Sequence, residues 1–508
     1  MARRPILLGK RPHGGPRFLN AMDPDEYPDE DTDTYLARLH LLHSDARAIF
    51  SHALDACGID RAFHNRVHLE DTTLVIEQAA LTDQVDRPLP AIRIDLAPYR
   101  KVLIIALGKA AVPMTQSLLS ILPRKPRVRG VCSAPGRPAK RDWRIRYYAG
   151  GHPLPNRDSY RAARHALRML RGATEKTLII YLISGGGSTL FDLPLDPDIS
   201  LADTIAFHET LIASGATIAE INTLRKHFSA VKGGRLAAAA PHAAKLTLQI
   251  VDVPSQHADA VASGPTLEDS STVEDCRELL DRYGLLEKFP PSVRQFFSRP
   301  DMPETPGDKA ASKPPADQRE EAFTDSFHTN SLATLLSNSD LLRAAHEKAS
   351  ALGYQVIVDN GCDDWPYDRA AAYLLQRFRE HRRRHPGRKL CLLSGGEVTV
   401  CIDRTPGVGG RNQQFALACA LLLEQQLPGE AMACLSAGSD GVDGSSQAAG
   451  AIVDPSTAAR ARALPIDPEA ALAAFNAFPL FTALGDTVLT GPTGNNLRDI
   501  RILLSAHN

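Results

Sequence analysis

The sequence lacks cysteines spaced to bind structural zinc. Its 8 cysteines are scattered along 508 residues without a CxxC pair, and several lie inside apolar stretches. Cysteines distributed in this way are typical of reduced thiols in the core of an intracellular protein. The pattern excludes a zinc-binding module and favours a cytoplasmic protein.

Long apolar runs and an excess of charge are also missing. The longest uninterrupted apolar run covers only residues 415–423, which is too short to cross a membrane. Lysine and arginine number 58 against 59 acidic residues, so the net charge is −1. Nucleic-acid binding usually requires a basic surface. We therefore expect neither a membrane nor a nucleic acid as partner.

Three well-known nucleotide-binding signatures are absent. The sequence contains no GxxxxGK[ST], no GxGxxG after a predicted strand, and neither of the protein-kinase motifs HRD and DFG. The first absence excludes a P-loop enzyme. The others leave an NAD-linked dehydrogenase or a protein kinase without a supporting motif.

The sequence does contain an apolar strand, residues 178–183, that ends in a glycine-rich turn. Open α/β sheets bind ligands where their strands end, and glycines allow an anion to approach the backbone N–H groups. The turn therefore indicates a phosphate or carboxylate site, and the alternative is a flexible turn. Its residues are Ser184, Gly185, Gly186, Gly187 and Ser188. Residues 390–397 repeat the design and add Gly395 and Gly396 to the candidates.

Strands and helices alternate along most of the chain, which predicts an α/β fold with a doubly wound, mainly parallel sheet. A length of 508 residues favours two domains. We expect a disordered arm at 1–33, because basic residues are followed by an acidic run there. A first domain is then predicted at 34–297, an insertion or linker at 298–330, and a second α/β domain at 331–491.

Two groups of basic residues lie where an anion is expected. Lys109 follows a buried strand and precedes a helix, so its ammonium adds charge to a helix N-terminus. Asn222, Arg225 and Lys226 share one face of the helix near 222–235. The alternatives are an ordinary surface lysine and a basic helix facing solvent.

A second glycine-rich loop contributes Gly409 and Gly410, and it places Arg411 at the entrance of another helix. Asp440 and Asp443 follow a strand end, and Glu397 lies at the tip of the second Ser-Gly-Gly turn. Carboxylates in such positions are suitable Mg²⁺ ligands. Asp-Gly turns are also common for structural reasons. Asp252 ends another predicted strand and is a further candidate for ligand binding.

Taken together, these motifs resemble the class II glycerate 2-kinases, the MOFRL or tartrate-utilisation type, whose members are sometimes named hydroxypyruvate reductases. The matching motifs also include Gly151-His152-Pro153-Leu154-Pro155 and the stretches 252–254 and 262–266. The sequence departs from the family pattern at Ser439, where we expect Thr, and at Gln414, where we expect Glu.

The resemblance implies ATP-dependent phosphorylation of D-glycerate at its 2-hydroxyl, with Mg²⁺. It also implies a Rossmann-like first domain, a smaller second domain, an active site in the cleft between them, and a tail near 492–508 that returns to the first domain. We assign catalysis to Lys109, Arg411 and Asp440, and metal binding to Glu397, Asp440 and Asp443.

Two other functions stay open, a reductase of hydroxypyruvate or tartronate semialdehyde and a regulator that binds sugar acids without turnover. A homodimer and a mitochondrial address on the basic arm are further alternatives.

Overall fold

The computed structural model describes residues 32–78, 89–254, 260–307 and 330–506. Apart from Thr32 and Asp33, the predicted arm lies outside these ranges. Residues 308–329 of the predicted insertion also lie outside them. The described chain begins with two helices and a small antiparallel sheet, ordered β1–β2–β3. These elements are α1 (Thr32–Ala56), α2 (Ile59–Arg66), β1 (Val67–Glu70), β2 (Thr73–Ile76) and β3 (Ile92–Asp95).

A six-stranded, fully parallel sheet follows, which we call the first sheet. Its strands are β4 (Lys101–Leu107), β5 (Arg127–Ala134), β6 (Ile145–Ala149), β7 (Thr177–Ile183), β8 (Ala244–Ile250) and β9 (Asn330–Leu336). The central strands β4 and β7 are almost wholly apolar because helices cover both of their faces.

The order of the first sheet is β6–β5–β4–β7–β8–β9. Numbered from β4, this is the 3-2-1-4-5-6 order of a doubly wound, Rossmann-like sheet, so the predicted fold class is confirmed. The order reverses between β4 and β7. The connecting helices are α3 (Ala111–Ile121), α4 (Arg157–Arg171), α5 (Gly187–Leu190), α6 (Leu201–Ile212), α7 (Ile218–Phe228), α8 (Arg235–Ala238), α9 (Val273–Arg282) and α10 (Pro291–Phe297), with a short 3₁₀ helix at Leu286–Lys288.

The second domain was predicted to begin at residue 331, but the two sheets do not divide there. Strand β9 pairs in parallel with β8 and completes the first sheet. The sequence pattern could not show this, because the residues before β9 carry no periodic signal that ties it to β8.

The second sheet is mixed and has the order β10–β11–β15–β12–β13–β14. Only β10 and β11 are parallel to each other among its described pairs. Its strands are β10 (Gln355–Val358), β11 (Leu390–Gly396), β12 (Met432–Gly438), β13 (Gly450–Val453), β14 (Thr487–Val488) and β15 (Asp499–Ser505). The helices of this region are α11 (Asn338–Ala351), α12 (Tyr367–Arg384), α13 (Arg411–Gln426), α14 (Thr457–Ala463), α15 (Pro468–Ala473) and α16 (Ala477–Leu484).

The tail near 492–508, predicted to return to the first domain, contributes its strand to the second sheet. Strand β15 lies in the middle of the second sheet, where it pairs antiparallel with both β11 and β12. All of its residues are buried, Arg501 included, as expected for a central strand.

One apolar core connects the two sheets. It contains Ile104 and Leu248 of the first sheet, Leu341 of α11, and Leu393 and Ile502 of the second sheet. The two sheets are therefore joined by shared packing instead of burying wholly separate cores. Within the described ranges, we find no helix that combines the length and apolarity needed to cross a bilayer.

Candidate functional site

The turns after β4 and β7 interlock at the point where the strand order reverses. The Lys109 N–H donates to the Gly185 carbonyl at 2.8 Å, and the Ala110 N–H donates to Ser184 Oγ at 3.0 Å. Gly108 has a φ of 118°, and a side chain there would collide with Ser184. Glycine is therefore needed at this crossing. Such reversals are where open α/β sheets leave a crevice for ligands.

The three glycines of the first turn have different surroundings. Gly185 leaves room for the Asp252 carboxylate, and Gly187 packs against Ala262 and Leu107. The Gly187 N–H already donates to the Ser184 carbonyl at 3.3 Å. The turn therefore offers fewer free N–H groups than the glycine pattern suggested.

The side chains of Lys109 and His152 flank the middle glycine. A Cβ on Gly186 would lie 3.3 Å from Lys109 Cγ and 3.4 Å from the His152 ring, so both side chains flank the turn. Burial lowers the pKa of His152, and the positive charges of Lys109 and Arg225 lower it further. Lys109 and Arg225 thus supply positive charge near the turn, which attracts an anion, whereas the lowered pKa of His152 favours a neutral imidazole.

Arg225 is the deepest of these groups, with an exposed fraction of 9%. Its Nε atom is buried and has no hydrogen-bond partner among the described residues. Burial lowers the pKa of its guanidinium, and the negative charge of Asp192 partly reverses the effect. A buried cation with an unused donor is costly unless a ligand supplies the missing partner.

Asn222 belongs to the same face of α7 and reaches the first turn through hydroxyl groups. Ser263 Oγ donates to Asn222 Oδ1 at 3.0 Å and lies 2.8 Å from Ser188 Oγ. Lys226 instead forms an ion pair with Asp269 at 3.1 Å. The structure therefore brings Asn222 and Arg225 to the turn, whereas Lys226 is engaged by a carboxylate of its own.

Asp252 follows the end of β8 and faces the same turn. Burial raises the pKa of its carboxyl to about 6, although the positive charges of Lys109 and Arg498 oppose the shift. Lys109 follows the central strand β4 of the first sheet, and Arg498 precedes β15 of the second sheet. Asp252 therefore lies within electrostatic reach of both sheets.

The second sheet contributes a charged edge of its own. Gly396 pairs with Asp499, and Asp499 pairs with Gly438, so the ends of β11, β15 and β12 lie side by side. Arg411 Nη2 lies 2.6 Å from Glu397 Oε1, and Arg411 Nε lies 2.7 Å from Asp499 Oδ2.

These contacts change the pKa values of the groups at this edge. Burial lowers the pKa of Arg411, but Asp499 and Glu397 more than reverse this and leave it raised. Burial and the charge of Asp499 raise the pKa of Glu397, against the opposing effect of Arg411. The guanidinium thus neutralises two crowded carboxylates.

Asp443 occupies the N-terminus of α13, where an anionic ligand was predicted. Its carboxylate accepts hydrogen bonds from the backbone N–H groups of Asn412 and Gln413, at 3.0 and 2.9 Å. It also fills the space beside Gly410, and burial raises its pKa to about 6. The N-terminus of α13 is therefore capped by the protein's own carboxylate.

The other predicted glycines of the second sheet also have internal partners. Gly395 and Gly396 donate to the side-chain oxygens of Asn360 and Asn338, at 2.8 and 3.2 Å, and Gly409 donates to Ser445 Oγ at 3.2 Å. These N–H groups stabilise the loops instead of forming an open cradle.

Glu397, Asp440 and Asp443 do not converge as a metal-binding trio. Across the ranges that the structure describes, no group of three or more His, Cys, Asp and Glu side chains is arranged to hold a metal ion. Asp440 Oδ1 and Asp499 Oδ1 both lie beside Gly438, 3.2 and 3.3 Å from where its Cβ would be. Two carboxylates are therefore available there without Asp443.

Neither Asn338 nor Asp499 was predicted as a site residue. Asn338 begins α11, directly after the first sheet, and its Nδ2 donates to the Leu497 carbonyl at 2.7 Å in the second-sheet region. Arg498 forms two bonds with Asp363, at 2.6 and 2.7 Å. His152 and Ser263 lay in noted motifs, but only the structure brings them to the turn.

Comparison with known proteins gives two family matches. Residues 45–298 match a family described as "Domain of unknown function (DUF4147)", and residues 390–499 match the MOFRL family. The sequence is 35% identical over 406 residues to the glycerate 2-kinase of Pyrococcus horikoshii, covering 80% of this chain and 87% of that protein.

A relative from Agrobacterium vitis, named "Putative hydroxypyruvate reductase", is 36% identical over 364 residues, which cover 71% of this chain and 88% of that protein. Among solved structures, a glycerate kinase from Thermotoga maritima matches with a TM-score of 0.72 and 30% identity, covering 92% of this chain and 100% of that chain.

Proposed function

Because the chain belongs to the class II glycerate 2-kinases, with their DUF4147 and MOFRL regions, we propose that it transfers the γ-phosphoryl group of ATP to the 2-hydroxyl of D-glycerate. The products are 2-phosphoglycerate and ADP. The observation that carries this proposal is Lys109 beside Gly186 at the reversal of the first sheet, with Arg225 within electrostatic reach of the neighbouring His152. Phosphoryl transfer depends mainly on positioned positive charge, which Lys109 and Arg225 supply.

Lys109 is the residue that we assign to the transferring phosphoryl group. It is exposed, flanks the turn, and precedes the N-terminus of α3. An ammonium in this position stabilises negative charge that develops on the phosphoryl oxygens.

Asp252 is assigned as the general base. Its carboxylate accepts the proton of the glycerate 2-hydroxyl while the hydroxyl oxygen forms a bond to the γ-phosphorus and the bond to the ADP oxygen breaks. A pKa of about 6 suits this role, because the carboxylate is mostly ionised at neutral pH yet basic enough to take a proton.

Arg225 is assigned to the carboxylate of glycerate, with Asn222, Ser188 and Ser263 as hydroxyl and amide partners for the substrate. The buried charge of Arg225 supports this assignment, since a carboxylate would neutralise the guanidinium. Lys226 is a weaker candidate for direct binding because Asp269 already engages it.

We assign Arg411 and the two carboxylates at Gly438, which belong to the second-sheet region, to the charge on the nucleotide phosphates. Asp440 and Asp499 offer oxygen atoms of the kind that Mg²⁺ prefers, and one or two carboxylates are enough when phosphate oxygens and water complete the shell. Asp440 would hold the ion, with Glu397 nearby, whereas Asp443 serves α13. When bound, Mg²⁺ would neutralise charge on the nucleotide phosphates.

A reductase of hydroxypyruvate is the second candidate, favoured by the name of the Agrobacterium relative. One experiment separates the two. Purified protein is given D-glycerate, ATP and Mg²⁺ in a coupled assay for ADP, and hydroxypyruvate with NADH or NADPH in a parallel assay. We expect ADP formation, with 2-phosphoglycerate identified by phosphorus NMR. Oxidation of the nicotinamide without ADP formation would establish the reductase.

The division into two domains, with the site in the cleft between the sheets, also stays a proposal. Its support is Asp252, whose pKa is lowered both by Lys109 after β4 of the first sheet and by Arg498 before β15 of the second sheet. A cytoplasmic location is proposed because every described cysteine is a free thiol, and fractionation of cells that express the full chain tests it against a mitochondrial one. Sedimentation velocity decides whether the protein is a homodimer.

A further inference from the structure

The loop between β10 and α12, residues 359–366, fixes the backbone of Glu397. The Glu397 N–H donates to Asp363 Oδ1 at 2.9 Å, and the Glu397 carbonyl accepts from the Asp364 N–H at 2.8 Å. The Asp363 carboxylate also occupies the space that a Cβ on Gly396 would need. Two neighbouring residues of the loop therefore hold Glu397 through both polar groups of its backbone.

The same carboxylate holds Arg498. Arg498 Nη1 donates to Asp363 Oδ2 at 2.6 Å, and Arg498 Nη2 donates to Asp363 Oδ1 at 2.7 Å. A two-point pair of this kind is the strong geometry for an arginine and a carboxylate. The Arg498 side chain is only 4% exposed, and a buried guanidinium is costly unless an opposite charge compensates it. Asp363 therefore determines where Arg498 lies.

These contacts reach Arg411 by two paths. One path runs from Asp363 through the backbone of Glu397, whose carboxylate binds Arg411 at 2.7 Å. The other runs from Asp363 through Arg498 to the next residue, Asp499. Asp499 binds Arg411 at two points, 2.7 and 3.2 Å. Both carboxylates that orient Arg411 are consequently held in place by a third.

The backbone beside this third carboxylate is strained. Asp364 and Arg498 have φ values of 62° and 66°, in the left-handed region that side chains rarely adopt. Aspartate tolerates this region, whereas arginine has no such preference. Strained residues persist only where the surrounding structure imposes the conformation, and they cluster at active sites. The pair with Asp363 is one of the contacts that keep Arg498 in this conformation.

We propose that Asp363 is a positioning residue, which holds Glu397 and Arg498 so that Arg411 meets the nucleotide phosphates in a fixed orientation. The inference rests on the proposed kinase function and on the role of Arg411 in it. The Arg411 side chain is 37% exposed and can reach a ligand. Asp363 acts through Arg411, because a displacement of about 1 Å in a preorganised group can lower a rate by about 10²-fold.

A double-mutant cycle separates positioning from stability. Asp363→Asn keeps the size of the side chain, removes its charge and replaces one acceptor by a donor. The change is made in the wild type and in Arg411→Lys. We expect it to lower kcat at least about tenfold in the wild type, with KM for D-glycerate nearly unchanged, and less than about twofold in Arg411→Lys. An equal loss in the two backgrounds, or no loss in the wild type, overturns the proposal.

Asp364→Asn is the matched control, because it removes the same charge from the next residue. The exposed Asp364 carboxylate lies 3.5 Å from Arg498, and its contact with Glu397 is made by the backbone and is kept. We expect nearly normal kcat. A loss as large as that of Asp363→Asn would show that the charge of the loop matters instead of the place of one carboxylate, and this too overturns the proposal.

Two further variants remove the dependence on one substitution. Asp363→Glu keeps the charge but moves it by one methylene group, and it goes through the same cycle with the same expectation if the neutral variant does not fold. Asp363→Ala leaves a space at a partly exposed position. Added formate should restore kcat of this variant in a saturable manner, and formamide, which lacks the charge, should not. Equal recovery with both, or none with formate, contradicts the need for a carboxylate.

Failure of this inference can be told apart from failure of the proposed function. A wild type that forms no ADP from ATP and D-glycerate refutes the kinase and, with it, this role of Asp363. A wild type that phosphorylates D-glycerate, with equal losses of kcat in the two backgrounds of the cycle, supports the kinase and refutes only the role of Asp363.

Discussion

Arg411 and Asp499 form a two-point ion pair although 88 positions separate them in the sequence. Arg411 Nε donates to Asp499 Oδ2 at 2.7 Å, and Arg411 Nη2 donates to Asp499 Oδ1 at 3.2 Å. Glu397 holds Arg411 Nη1 at 2.7 Å. The guanidinium is therefore oriented by two carboxylates before any ligand arrives, which favours a fixed electrostatic role over a mobile clamp.

We expect Arg411→Lys to lower kcat while KM for D-glycerate stays nearly unchanged. Lysine keeps the charge but cannot bind Glu397 and Asp499 at the same time through a planar group. Steady-state kinetics measure both constants, and Arg404→Lys, a change at an exposed arginine, is the control. A rise in KM with normal kcat would instead identify Arg411 as the clamp for the glycerate carboxylate.

Lys109→Ala should lower kcat by about 10²-fold or more, because a group that stabilises transition-state charge is lost. The melting temperature should stay close to that of the wild type, since the side chain is exposed. Lys176→Ala is a matched control. Lys176 is an exposed lysine directly before β7, so it lies where the strands of the first sheet begin, whereas Lys109 lies where they end. Near-normal kcat in Lys109→Ala would remove Lys109 from the reaction.

The pH dependence of kcat/KM should show a rise through about pH 6. Asp252 acts as a base only when ionised, and burial raises its pKa to about 6, so activity is lost as the pH falls below this value. In Arg498→Gln the rise should move to higher pH, because a positive charge that lowers the Asp252 pKa is removed. An acid limb that persists unchanged in Asp252→Asn would contradict the assignment.

Asp440 and Asp443 should respond differently to substitution. Asp443→Ala leaves two buried backbone N–H groups of α13 without acceptors, and we expect a loss of about 1–3 kcal/mol in the free energy of unfolding for each group left unpaired. Asp440→Asn should instead raise the Mg²⁺ concentration needed for half-maximal rate and change stability little. Urea unfolding and Mg²⁺ titration of activity distinguish the two results. A higher Mg²⁺ requirement in a stably folded Asp443→Ala would return Asp443 to the metal site.

Much of the first sheet could be predicted from the sequence, because its central strands are continuous apolar runs that end in glycine-rich turns. The pairing of Lys109 with the 184–188 turn follows from strand order, which apolar periodicity does not specify. The fold class, the kinase family and the enzyme class were predicted from motifs and are confirmed by the comparisons. The roles of individual site residues stay predictions.

The second sheet was harder to predict for physical reasons. Glycines 395, 396, 409 and 410 have the composition of an anion-binding loop, but their partners are side chains distant in sequence, such as Asn338 and Asp443. Asp499 could not be identified because nothing near it in the sequence shows that β15 lies between β11 and β12. Local patterns describe a strand but not its neighbours.

The central place of β15 has a consequence for synthesis of the chain on the ribosome. Strands β11 and β12 emerge first, and in the finished sheet they contact each other only through β15. Until β15 follows, each nascent strand exposes unpaired backbone groups to solvent and to other chains. This interval is the stage at which a molecular chaperone would protect the protein from aggregation.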